Sequence, residues 1–154
     1  MLMRSETKET RPFIGGIKLL LALAAMSAYG TANVQPEEIK IIANPNVEAS
    51  EISRDDLNRI FLMTKTSLAG VSHVEPVLEN GGAIGDLFSR KYMGRTNAAL
   101  MTYYRGLMFS GKAAIPKSFD SDSEVAEFVA KTKGAIGYVS ITANTAGVKT
   151  LKVK

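Results

Sequence analysis

The apolar positions of this sequence fall into short β-branched runs separated by stretches of helical period, each bounded by residues that start or stop an element. Ile39 to Ala43 is a short β-branched run ending at Asn44, Pro45 and Asn46, which predicts a buried strand feeding a turn. Ser53 with Asp56 three residues later forms a capping box, and Leu57, Ile60 and Phe61 follow at helical spacing, so a short helix ending near Met63 is expected. Val74 to Leu78 reads as a second strand, broken by Asn80, Gly81 and Gly82 before Ile84, Leu87 and Phe88 return at the helical period. Thr96 caps a further helix carrying Leu100, Tyr103, Tyr104, Leu107 and Met108, with Gly111 as its stop. Ser121 and Glu124 form another capping box ahead of Val125, Phe128 and Val129, with Gly134 as a left-handed stop and a strand at Ile136 to Val139. Val148 to Val153 is expected as a terminal edge strand.

Strands separated by helices imply an α/β architecture with a mixed, mainly parallel sheet and helices packed on it. In such sheets ligands sit beyond the carboxyl ends of strands, near helix N-termini, so the glycine turn after Leu78 is the first place to look. A chain of 154 residues that is 45% hydrophobic and 22% charged has the composition of one ordinary globular domain.

The formal charge of +4 owes half its excess to Arg4, Lys8, Arg11 and Lys18 set against Glu6 and Glu9. The remaining basic residues are spread from Lys40 to Lys154 without an evident cluster, so nucleic acid is not an expected partner. The absence of cysteine excludes disulfides, thiolate metal sites, cysteine nucleophiles and a lipoprotein-type lipid anchor.

The four cations of residues 1–18 precede an apolar stretch of Leu, Ala and Met from Leu19 to Ala28, and small residues follow at Ala28, Gly30 and Ala32. That order reads as a signal peptide over residues 1–32, with cleavage after Ala32 or, alternatively, after Gly30. A spanning helix wants about 20 apolar residues, roughly twice this run. The expected protein is therefore a periplasmic domain of residues 33–154.

Candidate chemistry is sparse. His73 is the only histidine and has no serine or threonine partner at a telling spacing, so a hydrolase triad is not supported. The acid pairs Asp55 with Asp56 and Asp120 with Asp122 coincide with helix starts, where carboxylates cap amides and favour the dipole, rather than with metal-ligand spacing. No motif calls for a cofactor, and the chain reads as non-enzymatic. Asn80, Gly81, Gly82 and Ala83 are more informative, because a glycine turn into a helix lets backbone amides face an anion with no side chain in the way. Arg90, further along that helix, is placed to lean back toward its N-terminus.

Several segments carry a resemblance. Gly134, Ala135, Ile136, Gly137, Tyr138 and Val139, preceded by Phe128, Val129 and Thr132, are similar to a helix-to-strand return; Ser53, Asp56, Leu57, Ile60, Phe61 and Leu62, then Lys65 and Thr66, to an early helix and its exit. Tyr103, Tyr104, Phe109, Ser110, Gly111 and Pro116 are similar to an aromatic helix with a Phe-Ser/Thr-Gly exit. In this order, over roughly residues 37–154, they resemble the short substrate-binding proteins of the phosphate ABC-transporter type, with the type 2 periplasmic-binding fold. The resemblance implies export, a single three-layer-like lobe, and capture of phosphate or a similar oxyanion for an inner-membrane transporter or sensor. Asn44 and the Asn80 to Ala83 turn are then expected to line the site, with Ser110, Gly111 and Tyr138 as further candidates. The chain departs from these proteins where they tend to carry a serine and, three residues on, an arginine: it has Gly82 and Gly85, which leaves mainly backbone amides as donors. A single lobe cannot clamp a ligand alone. Weak binding, a homodimer that completes the cleft, or a sensing and protein-interaction module that kept only the scaffold are the alternatives.

Overall fold

In the computed structural model, which describes residues 38–80 and 82–154, the β-branched run Ile39–Ala43 is strand β1. The leader read over residues 1–32 and the turn residue Gly81 lie outside the described residues. After β1 come β2 (Glu51–Ile52), α1 (Arg54–Phe61), β3 (Glu75–Glu79), α2 (Gly82–Phe88) continuing into a π-helical turn (Ser89–Met93), α3 (Asn97–Phe109), β4 (Lys117–Phe119), α4 (Asp122–Lys131), β5 (Ala135–Ser140) and β6 (Lys149–Val153).

The strands form one mixed sheet in the order β2-β6-β1-β5-β3-β4. β1 is antiparallel to both of its neighbours, whereas the β2–β6, β3–β4 and β3–β5 pairings are parallel. Side chains alternate across the sheet and so build two cores. On one face Val125, Ala126 and Val129 of α4 pack on Ile42, Val77 and Val139. On the other, Leu57, Phe61, Phe88, Leu100 and Tyr104 from the remaining helices pack on Ile41, Leu78, Ile136 and Tyr138. This is the expected α/β lobe with helices on both faces.

The helix starts are those that the capping residues predict. The hydroxyls of Ser53, Thr96 and Ser121 accept from the amides of Asp56 at 3.0 Å, Ala99 at 3.2 Å and Glu124 at 3.3 Å. Each satisfies a donor that the first turn leaves without an intrahelical partner.

Two expectations change. The C-terminal strand β6 is not an edge, because the two-residue β2 pairs with its outer side. Gly134 does take a left-handed φ of +77°, but α4 has already ended at Thr132, whose φ of −107° is extended. The glycine serves the turn into β5, where a methyl group would stand 2.3 Å from the His73 carbonyl oxygen.

Candidate functional site

Strand direction decides which residues meet. Glu75 is in register with Ala135, Glu79 with Phe119, and Ile39 with Ser140, so the carboxyl ends of β3, β4 and β5 share one rim of the sheet. α2 and α4 both begin at that rim, as the chain leaves β3 and β4. It is at this edge that open α/β sheets generally take their ligands.

The glycine turn lies on this rim. Asn80 donates its backbone amide to the Phe119 carbonyl at 2.8 Å, and its side chain reaches Ser118 Oγ at 3.1 Å and Asp120 Oδ1 at 3.4 Å, so it ties β3 to β4. Gly82 is exposed with a φ of +40°, and its amide is 3.0 Å from the Asn80 carbonyl. Ala83 beside it is exposed as well. Arg90 is exposed on the π-helical turn, beyond the end of α2 proper.

The other expected site residues have structural work instead. Asn44 stands at the opposite rim, since its amide bonds the Ala135 carbonyl at 2.9 Å; β5 runs between the two rims, about 17 Å of strand. Its side chain donates to the carbonyls of Val129 and Ala130 at 2.8 and 3.0 Å and accepts from the Asn46 amide at 3.0 Å, which satisfies the carbonyls at the end of α4. Tyr138 is 1% exposed: its hydroxyl donates to the Glu79 carbonyl at 3.2 Å, and burial keeps that hydroxyl protonated. Ser110 and Gly111 terminate α3, with the Ser110 hydroxyl donating to Leu107 at 3.1 Å and Gly111 in the left-handed region at φ +67°. The rim therefore unites Asn80, Gly82 and Ala83, with Tyr138 buried beneath it, and the fold takes Asn44, Ser110 and Gly111 elsewhere.

Gly85, at the position of the absent arginine, is buried against the rim. A methyl there would come within 2.9 Å of the Glu79 carbonyl oxygen. α2 has settled so closely on the end of β3 that no side chain fits.

Three further rim residues emerge from the structure. Glu79, the last residue of β3, is 7% exposed and its Oε2 has no hydrogen-bond partner. Burial pushes its carboxyl up to about 7, helped by the charge of Asp122. Asp122 in the first turn of α4 also accepts from the Ser140 amide at 3.0 Å and from the Ser140 hydroxyl. Asp122 thus links α4 to β5, a tertiary role beyond the capping expected of it. The one sequence signal for Glu79 is an acid directly after the apolar Pro76, Val77 and Leu78; nothing in the spacing ties it to residues 122 and 140. Chemically the rim offers backbone amides and the protonatable carboxyl of Glu79. Among the described residues, no three of His, Cys, Asp and Glu come together as a metal cage requires.

No family model matches the sequence, and no characterised protein matches it at the sequence level. The fold does have solved counterparts. A phosphate ABC transporter substrate-binding protein with bound phosphate from Clostridium perfringens is similar with a TM-score of 0.58 and 18% identity, over 76% of this chain and 45% of that one. An ABC-type phosphate transport receptor from Vibrio cholerae is similar at 0.52 and 17%, over 76% and 46%. PstS from Borrelia burgdorferi is similar at 0.52 and 16%, over 77% and 47%. The chain thus has the fold that the resemblance implied and spans less than half the length of these counterparts.

Proposed function

We propose that the chain is an exported, non-enzymatic binding protein that takes phosphate or a similar oxyanion at the rim where β3 turns into α2. The observation that carries this reading is the position of an exposed, side-chain-poor turn at the carboxyl end of parallel strands, in a fold shared with phosphate receptors. The rim has one requirement of its own. Glu79, Asp120 and Asp122 would repel a dianion if all three were ionised, so Glu79 keeps its proton when the anion is bound. A neutral carboxyl can then donate to the ligand, replacing in part the donors absent at Gly82 and Gly85.

The test is calorimetric titration of the protein with phosphate at about pH 6, below the Glu79 pKa, with sulfate as competitor. Ala83→Asp is the control, because the position is exposed and free of the backbone strain that Gly82 would impose on a side chain. Saturable heat that this variant abolishes supports the reading. A silent titration favours a second one, an interaction module without a small ligand, which the 82% exposure of Phe109 supports.

A further inference from the structure

α3 presents an outward face that no part of the described fold covers. Ala98, Thr102, Arg105 and Phe109 recur at helical spacing and are all exposed, Phe109 to 82% and the adjacent Met108 to 44%. Ile115, 39% exposed, extends the apolar tip past the helix exit. The large apolar groups of this face are gathered at its C-terminal end, Phe109 with Met108, and such side chains exposed together mark a binding surface.

Charge identifies what lies against it. Between Asp86 and Asp120 the chain has no acidic residue, while Arg90, Lys91, Arg95, Arg105, Lys112 and Lys117 all fall in that stretch. The even spread of lysine and arginine along the sequence conceals this, because the asymmetry comes from missing acids. Lys117 pairs with Glu75 at 3.0 Å, whereas Arg95 and Lys91 lie over the rings of Tyr103 and Tyr92 at 5.3 and 5.5 Å, and Arg105 and Lys112 bracket the exposed tip. A second copy of the chain is a poor occupant: two such faces would oppose cation to cation with no acid to offset them.

We infer that the outward face and exit of α3 dock the protein peripherally on an anionic phospholipid surface, with Phe109 and Met108 entering the interface and Arg105 and Lys112 meeting the headgroups. Exposed aromatic and thioether side chains beside unpaired cations are what such a surface attracts, the one by burial and the other by charge. No described helix is long and apolar enough to cross a membrane, so attachment through α3 is to the surface alone. The inference holds independently of the oxyanion reading.

The experiment is co-sedimentation of the whole protein with vesicles of phosphatidylcholine alone or mixed with phosphatidylglycerol, at low and high salt. Binding is expected only to the anionic vesicles and to fall as salt rises. Arg105→Glu and Lys112→Glu should each weaken it at least about fivefold, the loss that one neutralised cation brings. Phe109→Ser should weaken it without changing the salt dependence. All three positions are exposed, so unchanged thermal unfolding confirms that the fold is intact. Equal binding to both vesicle types would overturn the inference. So would binding that survives all three substitutions, which would move attachment to another segment such as the apolar stretch Leu19 to Ala28. Retention on an acidic polypeptide with no vesicle binding would overturn it in favour of a protein partner.

Discussion

The ring of Phe88 lies flat on that of Tyr138, with centroids 3.9 Å apart and planes within 5°. One ring ends α2 and the other is in the middle of β5, so this stack fixes how the glycine turn sits over the sheet. Phe61 joins both rings at 4.6 and 5.9 Å, forming an aromatic cluster directly beneath the rim. A tyrosine so placed supports the rim from below, and its hydroxyl holds the Glu79 carbonyl from that side.

Gly85 is the position most sensitive to a side chain. With the Glu79 carbonyl 2.9 Å from where a methyl would lie, Gly85→Ala should destabilise the protein by about 1–3 kcal/mol, and Gly85→Arg by more, in urea unfolding. The arginine would lift α2 from the rim before it could reach a ligand, so it should not create phosphate affinity.

Stability should depend on Glu79 with a definite sign. Its carboxyl is raised from 4.5 to about 7, so the folded state holds the proton more tightly than the unfolded chain. Its contribution is complete below the unfolded value and is lost as pH rises through about 7. Unfolding free energy should fall between about pH 5 and pH 8 by the order of 2 kcal/mol. Glu79→Gln should flatten that slope, matching the parent at the acid end and exceeding it at the alkaline end.

Asn44→Ala removes two donors from the carbonyls that end α4 and an acceptor from the Asn46 amide. We expect a loss of about 2–3 kcal/mol by denaturant titration, because buried partners are left unpaired. Any heat of phosphate binding should be unchanged, since the residue stands at the far rim.

Gly134→Ala combines a left-handed φ of +77° with a 2.3 Å approach to the His73 carbonyl. It should lower stability by at least about 2 kcal/mol, seen as a drop in Tm, by moving the loop before β3.

Helices α1, α3 and α4 were legible because Ser53, Thr96 and Ser121 announce them locally, and β1 and β5 because Ile39, Ile41 and Ile42, and Ile136, Tyr138 and Val139, gather strand-forming residues between turn signals. β2 and β4, of two and three residues, are too short to show a period, and they exist only because a neighbour offers an edge. The position of the glycine turn was legible too, since Gly82 does stand at the carboxyl end of a strand. Asn44 was misplaced because a turn after a strand looks the same at either rim, and only the antiparallel pairing of β1 with β5 shows which. Glu79, Asp122 and Ser140 come together through the parallel crossover from β3 to β5, which leaves no trace in local sequence.

The strand order bears on how the chain folds in time. β1 pairs only with β5 and β6, with Ile39 opposite Ser140 and Ile41 opposite Leu151, so the middle of the sheet has no strand neighbour until the far end of the domain has arrived. Contacts this remote are closed late and slowly. A polypeptide that must wait for its distant strands stays open through most of its assembly, the condition that the proposed export would require of it.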